Sequence, residues 1–170
     1  MNSLPLDLRQ TLAVARRLLA ATPAQIQSRL SRAVRDAPDE RLERLMQTPV
    51  RHVVLEALFW RLSQRLDPWR TVAIDASIRL RITGRSDRIV DVYDLELAAD
   101  GCRVARGPAG REPRLTITVD TVQLLRLAAG DSDPLRAYLR GGLRVSGDVA
   151  LAAKLAWLLG APSAGGARHG

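Results

Sequence analysis

The sequence predicts an α/β fold of the α+β kind: a five-stranded, mainly antiparallel sheet with helices packed on one face, preceded by extra N-terminal helices. Three observations predict it. Residues 72–83 (VAIDASIRLRIT) alternate without a break, Val72, Ile74, Ala76, Ile78, Leu80 and Ile82 against Ala73, Asp75, Ser77, Arg79, Arg81 and Thr83, the mark of a half-buried strand. The strands that follow are joined by connections of hairpin length, which favours antiparallel pairing. Segments of helical periodicity lie on both sides of this region, and a sheet that buries one side needs helices over that side.

The elements read in order as follows. Residues 6–20 place Leu8, Leu12, Ala15, Leu18 and Leu19 on one helical face. Thr22-Pro23 has the form of an N-cap and first-turn proline, and the next helix carries Ile26, Leu30 and Val34. Residues 39–47 add a short helix with Leu42, Leu45 and Met46. Thr48-Pro49 repeats the start signal for a helix to Leu66, with Val53, Val54, Ala57, Leu58, Phe59 and Leu62 apolar and Arg51, Glu56, Arg61 and Arg65 assigned to the wet face; Asp67-Pro68 ends it.

After the first strand, Gly84 to Arg88 is a turn, and residues 89–98 form a second strand with Ile89, Tyr93, Leu95 and Leu97 on one face. Asp100-Gly101 turns a hairpin into residues 102–106; residues 107–113 are loop. Leu115, Ile117 and Val119 alternate with threonines in a fourth strand. Asp120 caps a helix with Val122, Leu124, Leu125 and Ala128, closed by Gly130. Asp133-Pro134 starts a short helix with Leu135, Tyr138 and Leu139; after Gly141-Gly142, Leu143 to Val145 is a fifth strand, and Gly147-Asp148 leads into a last helix to Leu159. The domain organisation expected is an extension at 1–48, a core domain at 49–160 and a flexible tail at 161–170.

Composition narrows the function. Hydrophobic residues make up 46% and aromatics 4%, so the core is aliphatic. The net charge of +8 is almost all arginine and evenly spread: residues 1–70 hold twelve arginines against seven acids, residues 71–170 fourteen bases against eleven acids. With no like-charge run and few stacking aromatics, no nucleic-acid partner is expected. The early arginines do not suit a signal peptide, no run of about 18 apolar residues is present to span a membrane, and the expected location is cytoplasmic, with at most peripheral membrane contact.

The polar residues offer little chemistry. Cys102 stands alone, so neither an internal disulfide nor a cysteine metal cluster is available. His52 with Glu56 one turn on is too small a ligand set for a metal. Asp91 and Asp94, three apart on a strand, point to opposite faces or straddle a bend, which disfavours a matched acid–base pair. Gly147-Asp148 reads as a tight turn into a capped helix. No catalytic residue, metal ligand or cofactor site is assigned.

The stretch from Asp100 to Leu159 resembles the sterol carrier protein 2 family. The resemblance rests on the order of LTITV, a capped helix from Asp120 to Gly130, a short helix from Pro134 to Arg140, then Gly141-Gly142-Leu143-Arg144-Val145-Ser146-Gly147-Asp148 and an Ala/Leu helix containing Lys154. With the helix at 49–66 and the strand after it, the resemblance covers roughly residues 49–160. It implies a five-stranded sheet roofed by helices and a tunnel between them for a sterol, fatty acid, acyl chain or isoprenoid, with no common cofactor. The extension at 1–48 is similar to that of some bacterial stand-alone members.

On this reading the chain is a non-enzymatic carrier of an apolar small molecule or lipid. Phe59, Trp60, Leu62, Leu125, Tyr138, Leu139, Leu155, Trp157 and Leu158 are the candidate ligand-binding residues, each with core packing as the alternative, and Trp69 either closes the mouth or anchors a turn. Small residues such as Ala152, Ala153 and Ala156 either leave a groove or let the helix pack closely. Two other functions stay open: a scaffold or accessory protein of a lipid, quinone or natural-product pathway, with a homodimer through residues 1–48; and a small cavity enzyme using Tyr93, Asp94 or Cys102.

Overall fold

The computed structural model describes residues 31–66 and 74–158, with residues 65, 157 and 158 described by their backbone only. The helix expected at 6–20, the start of the next at Thr22-Pro23, Trp69 and the tail at 161–170 lie outside the described residues. The elements are α1 (Asp39–Met46), α2 (Val50–Arg65), β1 (Ala76–Thr83), β2 (Asp91–Ala98), β3 (Gly101–Arg106), β4 (Leu115–Asp120), α3 (Thr121–Ala128), α4 (Pro134–Leu139), β5 (Leu143–Gly147) and α5 (Val149–Leu158). Residues 31–36 are helical as well.

The five strands lie in the order β3-β2-β1-β4-β5. Three pairs are antiparallel, as expected, and β1–β4 is parallel, so the sheet is mixed. The parallel pair follows from connectivity. β3 occupies an edge beside β2, so the chain must cross the sheet before β4 can pair with the free side of β1. The loop from Gly107 to Arg114 makes that crossing: Gly107 donates to the Val92 carbonyl (2.7 Å) and Arg114 to that of Ser77 (2.9 Å).

Two strand boundaries move. Strand β1 begins at Ala76 and β2 at Asp91, and Ile89, counted with the second strand's buried face, is 57% exposed outside it. Alternation marks which residues fit a pleat, but pairing decides where a strand starts, and Ile82↔Asp91 is the last pair of the β1–β2 ladder.

Register gathers one apolar face. Ile78 sits between Leu95 and Leu115, and Leu80 between Tyr93 and Ile117. Val104 pairs with Leu95, and Val145 with Ile117. Side chains two apart share a face, so the core is continuous across all five strands. Leu55 and Phe59 of α2, Val122 and Leu125 of α3, and Leu151 and Leu155 of α5 are buried in the same core cluster. Val34, Leu42 and Met46, from residues within the expected N-terminal extension, are buried in it too. The tie is also polar: Arg126 on α3 donates to the carbonyls of Val34 and Ala37 and pairs with Asp39.

Capping shows how the sequence fixes the helix starts. Asp120 Oδ1 accepts from Val122 N (2.8 Å), Asp133 Oδ1 from Arg136 N (2.9 Å) and Asp148 Oδ1 from Leu151 N (2.9 Å). Gly147 before the last of these has φ +97°, and a Cβ there would lie 2.4 Å from the Arg114 carbonyl oxygen. Glycine is required by both the conformation and the space.

Candidate functional site

The helix-facing side of the sheet is unevenly covered. Under α2 and α1 it is sealed: Ile78, Ile82, Tyr93, Leu95 and Leu97 have almost no exposure. Phe59 stacks on Tyr93 with ring centroids 4.2 Å apart, a contact worth roughly 0.5–1.5 kcal/mol beyond burial. At the β4–β5 end, Ile117, Leu143 and Val145 on the same face are only half-buried, as is Ala152 of α5. Helices α4 and α5 are the elements packed on β5 there. The apolar face is therefore half-covered along this edge, as it is at the β3 edge, where Cys102 and Val104 are half-buried too.

The nine predicted ligand residues divide. Phe59, Leu125 and Leu155 are buried and Leu62 half-buried, all packed in the core. Trp60, Tyr138 and Leu139 face outward, 68%, 47% and 73% exposed. The reason is helical phase. Leu55 and Phe59, four apart, point inward, and Trp60, turned by about 100° from Phe59, joins Val53 on the outer side. On α4 it is Ala137 that is buried, so Tyr138 and Leu139 turn away. Trp157 and Leu158 belong to α5 by backbone, and their side chains lie outside the described residues. The structure thus brings together the aliphatic roof and Phe59 but not the exposed aromatics.

The ionisable groups are tied into structure. Tyr93 is buried and donates to Glu56 Oε1 (3.4 Å); loss of solvation, then the negative charge of Glu56, pushes its pKa up to about 12. Asp94, on the opposite face, accepts two hydrogen bonds from Arg79 (2.8 Å each) and one from Ala109 N (2.8 Å). The Arg79 contact first holds its carboxyl below the usual range. Burial pushes the Cys102 thiol up to about 11, which suppresses the nucleophilic thiolate. Asp91 and Asp94 do face opposite sides.

Sequence reasoning missed one buried pair. Arg51, assigned to the wet face, is 2% exposed. Its Nε donates to Asp91 (2.6 Å), and other guanidinium nitrogens reach the carbonyls of Met46 (3.4 Å) and Thr83 (3.1 Å). The signal was present: Asp91 falls in phase with Tyr93, Leu95 and Leu97, and a carboxylate on a buried face needs a cationic partner. His52, beside it, accepts from Arg106 (3.0 Å).

Two adjoining surface hollows, of about 230 and 260 Å³, lie between the α1–α2 junction and the β1–β2 turn, sharing Met46, Gln47, Arg85 and Ser86. Gln47 clamps that turn, donating to the Gly84 carbonyl (2.7 Å) and accepting from Ser86 N (2.8 Å). None of the predicted ligand residues lines either hollow. Among the described residues no cluster of three His, Cys, Asp or Glu could hold a metal, and no helix is long and apolar enough to cross a membrane.

Fold and site define a helix-roofed mixed sheet whose distinctive surface is an apolar face, with Tyr93, Asp94 and Cys102 each hydrogen-bonded or buried. Residues 55–160 match the model of the SCP-2 sterol transfer family, and the chain belongs to that family. Among solved structures, sterol carrier protein 2 like 2 from Aedes aegypti is 26% identical with a TM-score of 0.52, covering 62% of this chain and 96% of that one. A double mutant of the sec-alkyl sulfatase PisA1 is 22% identical with a TM-score of 0.51, covering 67% of this chain and 16% of the sulfatase; that enzyme comes from a Pseudomonas species. UbiJ-SCP2, a ubiquinone synthesis protein, is 18% identical with a TM-score of 0.47, covering 66% and 93%. No curated protein matches the chain.

Proposed function

We propose that this chain binds and carries an apolar molecule, such as a sterol, fatty acid, acyl chain or isoprenoid, without transforming it. The observation that carries the reading is the half-covered strip of Ile117, Leu143, Val145 and Ala152 at the β4–β5 edge of the apolar face. An apolar ligand seated there would complete the burial that α4 and α5 leave unfinished, at roughly 25 cal/mol per Å² removed from water. The family's association with sterol transfer supports the reading, as does the fold shared with the Aedes aegypti carrier-like protein. So does the environment of Tyr93, Asp94 and Cys102, each engaged or buried in a way that disfavours proton transfer or nucleophilic attack.

Titration with a fluorescent fatty acid and a fluorescent sterol, with native mass spectrometry of protein purified from cells, tests this. Saturable binding of one probe at a single site is expected. Val145→Trp, which fills the strip, should weaken it at least tenfold with the fold kept. Absence of binding to any apolar probe, or undiminished binding by the Trp variant, would overturn the reading.

A further inference from the structure

The outer side of α2 carries a row that the core does not use. Val53, Ala57, Trp60 and Gln64 stand at i, i+4, i+7 and i+11, and all four are exposed, Val53 by 61% and Trp60 by 68%. Arg51, Leu55 and Phe59, on the other side, are buried. A 4-3-4 spacing is the seam of a two-helix coiled coil. The same spacing recurs ahead of the described residues, in Leu8, Leu12, Ala15 and Leu19. As helices the two rows have equal length, about 17 Å. Leu135, Tyr138 and Leu139 of α4 are exposed as well, but a helix of 6 residues cannot present a row of that length.

We propose that residues 6–20 dock along this row as a helix parallel to α2 of the same chain. Size and charge select the direction. In parallel, Leu12 meets Ala57 and Ala15 meets Trp60, large against small. Arg16 then reaches Glu56, an exposed carboxylate between Val53 and Trp60, and Thr11 falls beside Arg61. Antiparallel docking would set Ala15 on Ala57, which leaves a gap, and Arg9 beside Arg61, like charge on like. Chain length permits the parallel arrangement. From Ala20 to Ser31, where the described residues begin, the backbone reaches up to about 36 Å extended. That exceeds the length of α2, roughly 24 Å. A helix as short as residues 6–20 is marginal alone, but the tether supplies a roughly millimolar effective concentration. That favours α2 of the same chain over α2 of a second copy. The docking does not depend on ligand carriage.

Disulfide trapping in the full chain tests this, with Cys102→Ser removing the native thiol. Leu12→Cys with Ala57→Cys should close within one chain under mild oxidation, about tenfold faster than Gln10→Cys with Ala57→Cys. Gln10 lies on the far side of the row that Leu12 belongs to, and serves as the control. A second readout needs no cysteine. Trypsin cleavage after Arg16 and Arg17, followed by mass spectrometry, should be slow in the wild-type chain. It should be about tenfold faster in Trp60→Asp, because the docked seam loses its largest apolar contact. Circular dichroism should stay unchanged, since Trp60 stands outside the core. Equal closure of the two cysteine pairs, or cleavage that Trp60→Asp leaves unaltered, would overturn the proposal. So would closure that links two chains, seen as a doubled mass, which assigns the row to a second copy.

Discussion

Arg51 and Asp91 show what a single charged residue contributes here. Each is buried, and each is the other's counter-charge, with the Met46 and Thr83 carbonyls taking up further guanidinium donors. Arg51→Ala leaves a carboxylate in the core and should cost about 3–5 kcal/mol in urea unfolding, with Asp91→Ala costing as much. The double variant Arg51→Met, Asp91→Leu should cost less than either single truncation. Tyr93 carries a pH dependence. Its folded pKa, about 12, lies above the ordinary 10, so between these values the folded state holds more protons than the unfolded chain. Its contribution to stability is complete below pH 10 and is lost as pH rises toward 12. Tyr93→Phe should flatten the decline in stability between pH 10 and 12, read as melting temperature against pH; an unchanged slope would show the burial to be misjudged.

The junction of β5 and α5 is decided by two adjacent residues. At Gly147 an alanine meets both the strain of φ +97° and a Cβ 2.4 Å from the Arg114 carbonyl oxygen. Gly147→Ala should lose about 2–4 kcal/mol by chemical denaturation. Asp148→Ala, which removes a cap bonded to Leu151 N and paired with Arg114, should lose about 1 kcal/mol. This element was legible in the sequence because glycine followed by aspartate between a strand and a helix has few structural uses. Helix α2 was legible only in part. Its extent followed from its start and stop signals, but it is apolar on both sides, and periodicity alone did not separate Phe59, which is buried, from Trp60, which is not.

For the whole molecule, residues 31–48 matter as much to the core as to any extension. Deleting residues 1–47 removes Val34, Leu42 and Met46 from the core cluster, along with Asp39 and the Val34 and Ala37 carbonyls that Arg126 binds, leaving it Asp131. The truncated chain should melt markedly lower or fail to fold, as judged by circular dichroism; a full-stability truncation would show those contacts to be dispensable. The sheet's composition was readable from alternation, and its side-chain faces followed. Its order was not, because the β1–β4 parallel pair depends on a crossing loop whose sequence, residues 107–114, has no periodicity to read.

The amino-acid sequence by itself determined the element types, the aspartate caps, the apolar face of each strand and a family resemblance, because each depends on residues close together along the chain; the hydroxyl of Thr48, at the start signal of α2, instead donates back to the Leu45 carbonyl. Only the tertiary structure decided which apolar residues are sealed, which are half-covered and which stand outside. Leu125 and Leu139 are the same side chain on neighbouring helices, one 5% and the other 73% exposed. The difference lies in what packs against each, a property of contacts between segments distant in sequence.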